Sequence, residues 1–105
     1  MSFIIGSKKQ EEKITKMGTI AHELFDKTDV IVFKGIFRYG VSSAMTEQGY
    51  TKWNDVAIQQ RESRERFFES VLNHSIKRLK ETGIDEKQIE LLFHRLRKEN
   101  LSYLS

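Results

Sequence analysis

The chain has 105 residues, a length typical of one domain and too short for two ordinary ones. Its net charge is only +3, and the absence of cysteine excludes disulfides, thiolate metal sites and cysteine nucleophiles. These properties predict a single domain over residues 1–105 in a reducing compartment, the cytoplasm. No export signal is expected, because the first residues lack a basic segment and a long apolar run, and no membrane-spanning helix is expected, because charges interrupt every apolar segment.

The sequence also lacks proline, the commonest helix breaker, which favours long helices over a β fold with many turns. The fold class that we predict is therefore mainly α, a small bundle of about four helices ending in a tight αα-hairpin. The first helix is expected from Glu11 to Phe25, where apolar residues recur at steps of three and four. Thr28 or Asp29 is the predicted cap of the next helix.

The segment from Val30 to Met45 has two interpretations. Its β-branched and aromatic residues, with Gly35 at a plausible turn, suit a short hairpin at residues 30–41 and an α+β fold. A helix is favoured, because Val30, Phe33, Phe37, Val41, Ala44 and Met45 share one helical face, and Gly49 stands where a helix would end. In a helix, Gly35 and Gly40 would each cost about 1 kcal/mol relative to Ala unless a close helix contact required them.

A third helix is predicted to begin at Asn54 or Asp55 and to run to about Glu81. Its second half carries an apolar stripe, whereas the segment from Gln59 to Arg66 contains no apolar residue. Those turns must therefore face water or a partner.

The last helix has the clearest predicted start, with Asp85 as N-cap and Gln88 as its capping-box partner. Ile84 and Ile89 can form a hydrophobic staple around that start, and Asn100 is the predicted stop. Since only Thr82 and Gly83 connect the third and fourth helices, the two should form the tight hairpin.

The first candidate site is a partner-binding surface on the charged helix. It combines Arg61, Arg64 and Arg66 with two aromatic residues of the preceding loop, Tyr50 and Trp53. Aromatic and arginine side chains are the residues that most often anchor protein interfaces. The alternative is that Trp53 closes one end of the core.

A second candidate is a divalent-metal site. Glu62 and Glu65 have the ExxE spacing that lets two carboxylates share one Mg²⁺, and they share a helical face with Glu69. The competing interpretation is a solvated face, on which Arg61 pairs with Glu65 and Glu62 pairs with Arg66. The histidines His22, His74 and His94 have no zinc spacing and are expected to be partly buried structural residues.

A third candidate is a phosphate or nucleic-acid surface at the end of the third helix, formed by Lys77, Arg78 and Lys80. Cations in the last turn of a helix also complement its dipole, which explains their placement without a ligand.

Residues 48–100 resemble one family, through four elements in order. These elements are Gly49 to Asn54, Leu72 to His74, Gly83 to Asp85, and Phe93 to Leu96. They are similar to the small all-helical phage proteins described as dATP/dGTP diphosphohydrolase-like, related to the MazG-type nucleotide pyrophosphohydrolases. The resemblance implies Mg²⁺ and triphosphate binding by Glu62, Glu65, His74 and Asp85, with the metal activating water.

The charge balance and the lack of a catalytic motif favour a small non-enzymatic interaction protein without a cofactor. Its expected partner is another protein, in the manner of a phage or mobile-element accessory or regulatory protein, and self-association into a homo-oligomer is a further expectation. The first alternative is the Mg²⁺-dependent nucleotide pyrophosphohydrolase, and the second is a nucleic-acid binding protein. No membrane partner is expected.

Overall fold

The computed structural model describes residues 7–25, 29–51 and 61–99, with side chains from Glu11 in the first helix and from Glu65 in the third. These ranges form four helices: α1 (Ser7–Phe25), α2 (Val30–Gln48), α3 (Arg61–Glu81) and α4 (Glu86–Lys98). No strand occurs within the described ranges. The predicted mainly α bundle is therefore confirmed.

The segment with two interpretations is the helix α2. Asp29 caps it, because the Asp29 carboxylate accepts a hydrogen bond of 3.0 Å from the backbone N–H of Ile31. Gly49 ends it with a φ of 76°, a left-handed conformation that glycine adopts without a steric penalty. The backbone N–H of Tyr50 then donates to the Met45 carbonyl at 2.9 Å. The hairpin alternative at residues 30–41 was wrong, since capping and the inward face stabilise a helix here despite its β-prone residues.

The helices α1 and α2 are antiparallel neighbours. Phe25 at the end of α1 packs near Phe33 at the start of α2, with ring centroids 6.3 Å apart. Toward the opposite end of the pair, Arg38 of α2 donates a hydrogen bond of 3.1 Å to the carboxylate of Glu11 near the start of α1. These two contacts fix the register of the pair.

On its other side, α2 runs antiparallel to α3. The guanidinium of Arg78 lies 4.3 Å from the ring centroid of Tyr39, and the Ser70 hydroxyl donates to the Glu47 carboxylate at 3.1 Å. Residues later in α2 thus contact residues earlier in α3, as antiparallel helices require. The helix α2 lies between α1 and α3.

The helices α3 and α4 form the predicted hairpin around Gly83, whose φ of 89° turns the chain. Lys80 Nζ lies 3.7 Å from the carboxylate of Glu86 near the turn. Further away, Arg97 donates two hydrogen bonds of 2.7 Å to Glu69. In each pair the two residues stand at equal distances from Gly83 along the sequence, as an antiparallel hairpin requires.

The predicted capping box of α4 is confirmed. The Asp85 carboxylate accepts from the Gln88 backbone N–H at 2.9 Å, and the Gln88 side chain accepts from the Asp85 backbone N–H at 3.2 Å. Ile84 and Ile89 are both buried, as the staple predicts. This local pattern sets the start of α4 without help from the rest of the fold.

Other helix ends differ slightly from the prediction. The helix α1 begins at Ser7, four residues before the predicted Glu11, and α4 ends at Lys98 with Glu99 as its cap. Such shifts are expected, because the end of a helix depends on few hydrogen bonds. Four predicted caps or stops lie outside the described residues: Thr28, Asn54, Asp55 and Asn100.

The core lies where the inward faces of the four helices meet, and large side chains without solvent exposure fill it: Ile14, Met17, Phe33, Phe37, Val41, Phe67, Leu72, Leu79, Leu92 and Leu96. Each such side chain contributes about 1.5–3 kcal/mol of transfer free energy. Phe25, Met45 and Ile76 are only partly buried, and Leu24, one of the apolar residues that recur along α1, is 40% exposed.

Candidate binding groove between the second and third helices

A close approach at Gly40 sets how α2 and α3 meet. A Cβ atom at this position would lie 2.7 Å from the Val71 carbonyl oxygen and would also meet the Ser75 hydroxyl. Ser75 is fully buried, and its hydroxyl donates to that carbonyl at 2.8 Å. The expectation that a close helix contact explains the glycines therefore holds for Gly40. It does not hold for Gly35, where a Cβ would meet nothing within 4 Å.

Glu47 lies two turns beyond Gly40 on the same face of α2, so it also points toward α3. Its Oε1 atom lies 2.6 Å from Nε2 of His74, and its Oε2 atom accepts from the buried Ser70 hydroxyl at 3.1 Å. One carboxylate thus contacts two side chains of α3, one turn apart. The hydrogen bonds from His74 and then Ser70 hold the pKa of the Glu47 carboxyl below its ordinary value.

The order of these three groups excludes a nucleophilic serine of the familiar kind. A serine nucleophile needs an imidazole that contacts its hydroxyl and is itself oriented by the acid. Here the carboxylate of Glu47 lies between the hydroxyl of Ser70 and the imidazole of His74. A carboxylate with a lowered pKa is a weak base, so the arrangement suits binding better than proton abstraction.

Around this contact lies a groove of about 610 Å³, which we call the α2–α3 groove. Its described lining consists of Glu47, Gln48, Glu65, Arg66, Glu69, Ser70, Asn73 and His74. Every one of these side chains is polar or charged. The groove therefore offers hydrogen-bond donors and acceptors alongside the aliphatic parts of these side chains.

Acidic groups outnumber basic ones along the groove. Glu47, Glu65 and Glu69 contribute three carboxylates, against the single guanidinium of Arg66. Arg97 reaches in from α4 and forms a two-point contact with Glu69, whose pKa is lowered chiefly by these hydrogen bonds. Since carboxylates accept hydrogen bonds and attract cations, Glu47 and Glu65 suit lysine or arginine side chains of a ligand, whereas Glu69 is already paired with Arg97.

The structure places the predicted partner-binding residues in different settings. Tyr50 is half-buried, and its ring packs edge-on against the buried Phe67, with centroids 5.8 Å apart. Tyr50 therefore packs against the edge of the core. Arg66 is exposed and lines the groove. The remaining predicted residues have side chains outside the described ones: Trp53, Arg61 and Arg64.

Two of the four residues predicted for Mg²⁺ lie together. Glu65 and His74 both line the α2–α3 groove, whereas Asp85 caps α4 beyond the other end of α3. The sixteen residue-to-residue steps from Glu65 to Glu81 alone span about 24 Å, so Asp85 does not join the set. The side chain of Glu62 is outside the described ones. Among the described residues, no three histidine or acidic side chains are placed to hold one metal ion.

The predicted phosphate-binding residues have different surroundings. Lys77 is exposed, the Arg78 guanidinium stacks on Tyr39, and Lys80 lies near Glu86. Each position is explained by a local contact or by the end of a helix.

The three histidines differ in exposure. His22 and His74 are half-buried, as expected for structural residues. His94 was expected to be partly buried but is exposed, because its position falls outside the buried stripe of α4.

Several groove residues were not predicted from the sequence, among them Gln48 and Ser70, and the one with the most contacts to the third helix is Glu47. It belongs to no motif, and its partner His74 is 27 positions away. The only available signal was its position seven residues after Gly40, on the face that approaches α3.

Comparison of the chain with protein-family models, with curated proteins and with solved structures found no match. The resemblance to the diphosphohydrolase-like phage proteins thus rests on the four sequence elements alone. Within the described ranges, no helix has both the length and the apolar character needed to cross a bilayer.

Proposed function

We propose that this chain is a small non-enzymatic interaction protein that binds a partner protein at the α2–α3 groove and the first turns of α3. The observation that carries the proposal is the groove itself, about 610 Å³ with a described lining that is wholly polar or charged. A surface of this kind recognises a partner through hydrogen bonds and charge pairs.

The position of the groove supports the same function. The contacts that join α3 to α2 and α4 include Ser70, His74 and the pair between Glu69 and Arg97. Glu65 and Arg66 precede these contacts and are exposed. A partner could therefore reach the groove and the start of α3 together.

The charges indicate the chemistry of the partner. The acidic lining favours a segment that carries lysine or arginine, while the arginines at the start of α3 favour acidic side chains beside it. A protein surface supplies both signs, whereas a nucleic acid presents a uniform row of phosphates that these carboxylates would repel. The proposal therefore extends to a cytoplasmic accessory or regulatory role, of the kind filled by small phage proteins.

Affinity capture from the native host, followed by mass spectrometry, tests the proposal. The unmodified chain should enrich a partner that is lost with the Arg61→Glu, Arg64→Glu double variant and with Glu65→Lys. The matched control reverses two exposed charges on α4, Lys87→Glu with Lys98→Glu, and should retain the partner. Far-UV circular dichroism must show the same helix content in all variants. Equal enrichment by all variants, or no enriched protein, would refute this function.

A second candidate is the Mg²⁺-dependent nucleotide pyrophosphohydrolase. One observation favours it, since Glu65 and His74 of the predicted metal set line the same groove as Glu47 and Glu69. Two observations disfavour a metal site here: Glu69 is already paired with Arg97, and Asp85 lies far from the groove as the cap of α4. A measurement of nucleotide binding separates the two candidates.

A further inference from the structure

The outer face of α2 carries a stripe of exposed residues that differs from the groove. Ile31, Gly35 and Tyr39 follow one another at four-residue steps and so lie in one row along the helix. Ile31 is 69% exposed and Tyr39 is 37% exposed. We call this row, with its capping residue Asp29, the α2 outer face.

Neighbouring helices border this face on both sides without covering it. On one side α1 approaches α2 closely, since a Cβ at Gly18 would lie 3.2 Å from the backbone nitrogen of Lys34. On the other side α3 contributes Arg78, which stacks on Tyr39. The row between them remains open to solvent.

Among the described residues, none packs against the open side of Gly35. A Cβ at this position would meet nothing within 4 Å, whereas Gly40, one turn and a half further on, is required by the contact with α3. Glycine in the middle of a helix is less favourable than alanine. An open glycine between exposed isoleucine and tyrosine side chains is a place where another helix could approach the backbone closely.

The α2 outer face is complementary to itself. Ile31 and Tyr39 stand at equal distances along the sequence on either side of Gly35. If two copies meet with antiparallel α2 helices and a twofold axis at Gly35, Ile31 of each copy lies opposite Tyr39 of the other. This self-matching pattern is what an isologous interface requires.

Charge follows the same symmetry. The exposed Asp29 stands at the start of the row, while Arg78 stands beside its far end, over the ring of Tyr39. Antiparallel pairing brings the acidic end of each copy to the basic end of the other. The antiparallel helix dipoles are also favourably arranged.

We propose that a second copy of this chain docks on the α2 outer face, forming a twofold dimer in which the α2 helices cross at Gly35. This interface is separate from the α2–α3 groove and leaves that groove accessible. The dimer and the proposed partner binding can therefore be tested independently of each other.

Disulfide crosslinking tests the geometry directly. The natural chain contains no cysteine, so each variant carries a single thiol. Gly35→Cys places the two thiols next to the twofold axis and should form a crosslinked dimer rapidly under mild oxidation. The matched control is Leu91→Cys, at an exposed apolar position of α4, and it should crosslink much more slowly. Equal rates at the two positions would overturn the proposed axis.

Sedimentation equilibrium tests the association itself. The unmodified chain should change from monomer to dimer as its concentration rises, and Ile31→Glu should raise the dissociation constant by roughly tenfold or more. Leu91→Glu removes an apolar side chain of similar exposure, 63%, and should leave the dissociation constant unchanged. A chain that stays monomeric at every concentration, or a dimer equally sensitive to both substitutions, would exclude this interface.

Discussion

The Nε2 atom of His74 lies 2.6 Å from Oε1 of Glu47, and this contact joins α3 to the last turn of α2. Ser70, one turn earlier in α3, donates to the other oxygen of the same carboxylate. The helices α2 and α3 pack closely at Gly40, and around Glu47 and His74 they are separated by the α2–α3 groove. The same helix pair thus provides both a tightly packed contact and a polar groove.

The substitution Glu47→Gln should reduce stability in a pH-dependent way. The Glu47 pKa lies below its ordinary value of about 4.5, so the folded chain resists protonation of this group more than the unfolded chain does. Its contribution is therefore fully present above about pH 4.5 and is lost as the pH falls through the folded-state pKa. Urea unfolding of both proteins from about pH 7 to about pH 3 should show a difference that disappears in acid.

The His74→Gln background provides the control for this experiment. The hydrogen bond from His74 is the largest cause of the lowered Glu47 pKa. Removing it should shrink the effect of Glu47→Gln at neutral pH. An undiminished effect would mean that another feature stabilises the carboxylate.

Alanine at the two interior glycines of α2 should have opposite effects. Gly40→Ala places a Cβ against the Val71 carbonyl and should destabilise the fold by about 1–3 kcal/mol. Gly35→Ala meets open space and should stabilise the helix by about 0.5–1 kcal/mol. Chemical denaturation of dilute protein measures both changes. A loss of stability at both positions would contradict the open environment of Gly35.

The glycines also show how much of the fold could be predicted. The helices of this chain follow from short-range patterns, such as the capping residue Asp29 and the left-handed Gly49, which need only nearby residues. Which glycine meets another helix depends on the rotation of α2 against its neighbours. The sequence pattern did not distinguish Gly35 from Gly40. It also did not predict the close approach between Gly18 of α1 and Lys34 of α2.

The capping box predicts a specific stability effect. Asp85→Ala removes the acceptor for the Gln88 backbone N–H and should cost about 1 kcal/mol. Asp85→Asn retains an oxygen acceptor and should cost only a few tenths of a kcal/mol. Thermal unfolding of the two variants measures the difference. Equal losses would show that the charge of Asp85, rather than its hydrogen bond, stabilises the start of α4.

The candidate groove was predictable only in part, for a related reason. Glu65 and Arg66 were identified because charge spacing is visible within one helix, and His74 was identified through the family resemblance. Glu47 was missed because its role exists only after α2 and α3 pack. Conversely, Asp85 entered the predicted metal set through resemblance, and the length of α3 separates it from the others.

A nucleic-acid role predicts tight retention on heparin that weakens steeply with salt. We expect elution at low salt instead, because Lys80 lies beside Glu86 and Arg78 is stacked on Tyr39. The control is the Lys77→Glu variant, whose elution should differ little from that of the unmodified chain. Retention at high salt that this substitution abolishes would revive the phosphate-binding prediction.

Nucleotide binding separates the interaction protein from the pyrophosphohydrolase. A ligand that binds only the folded chain at a hundredfold excess over its dissociation constant stabilises it by about 2.7 kcal/mol, which raises the melting temperature measurably. We expect no Mg²⁺-dependent shift with dATP or dGTP, because Glu69 is paired with Arg97 and Asp85 is occupied as a helix cap. A shift that requires Mg²⁺, disappears with Glu65→Gln and survives in Asp85→Asn would replace the proposed function with the enzyme and would locate the nucleotide in the α2–α3 groove.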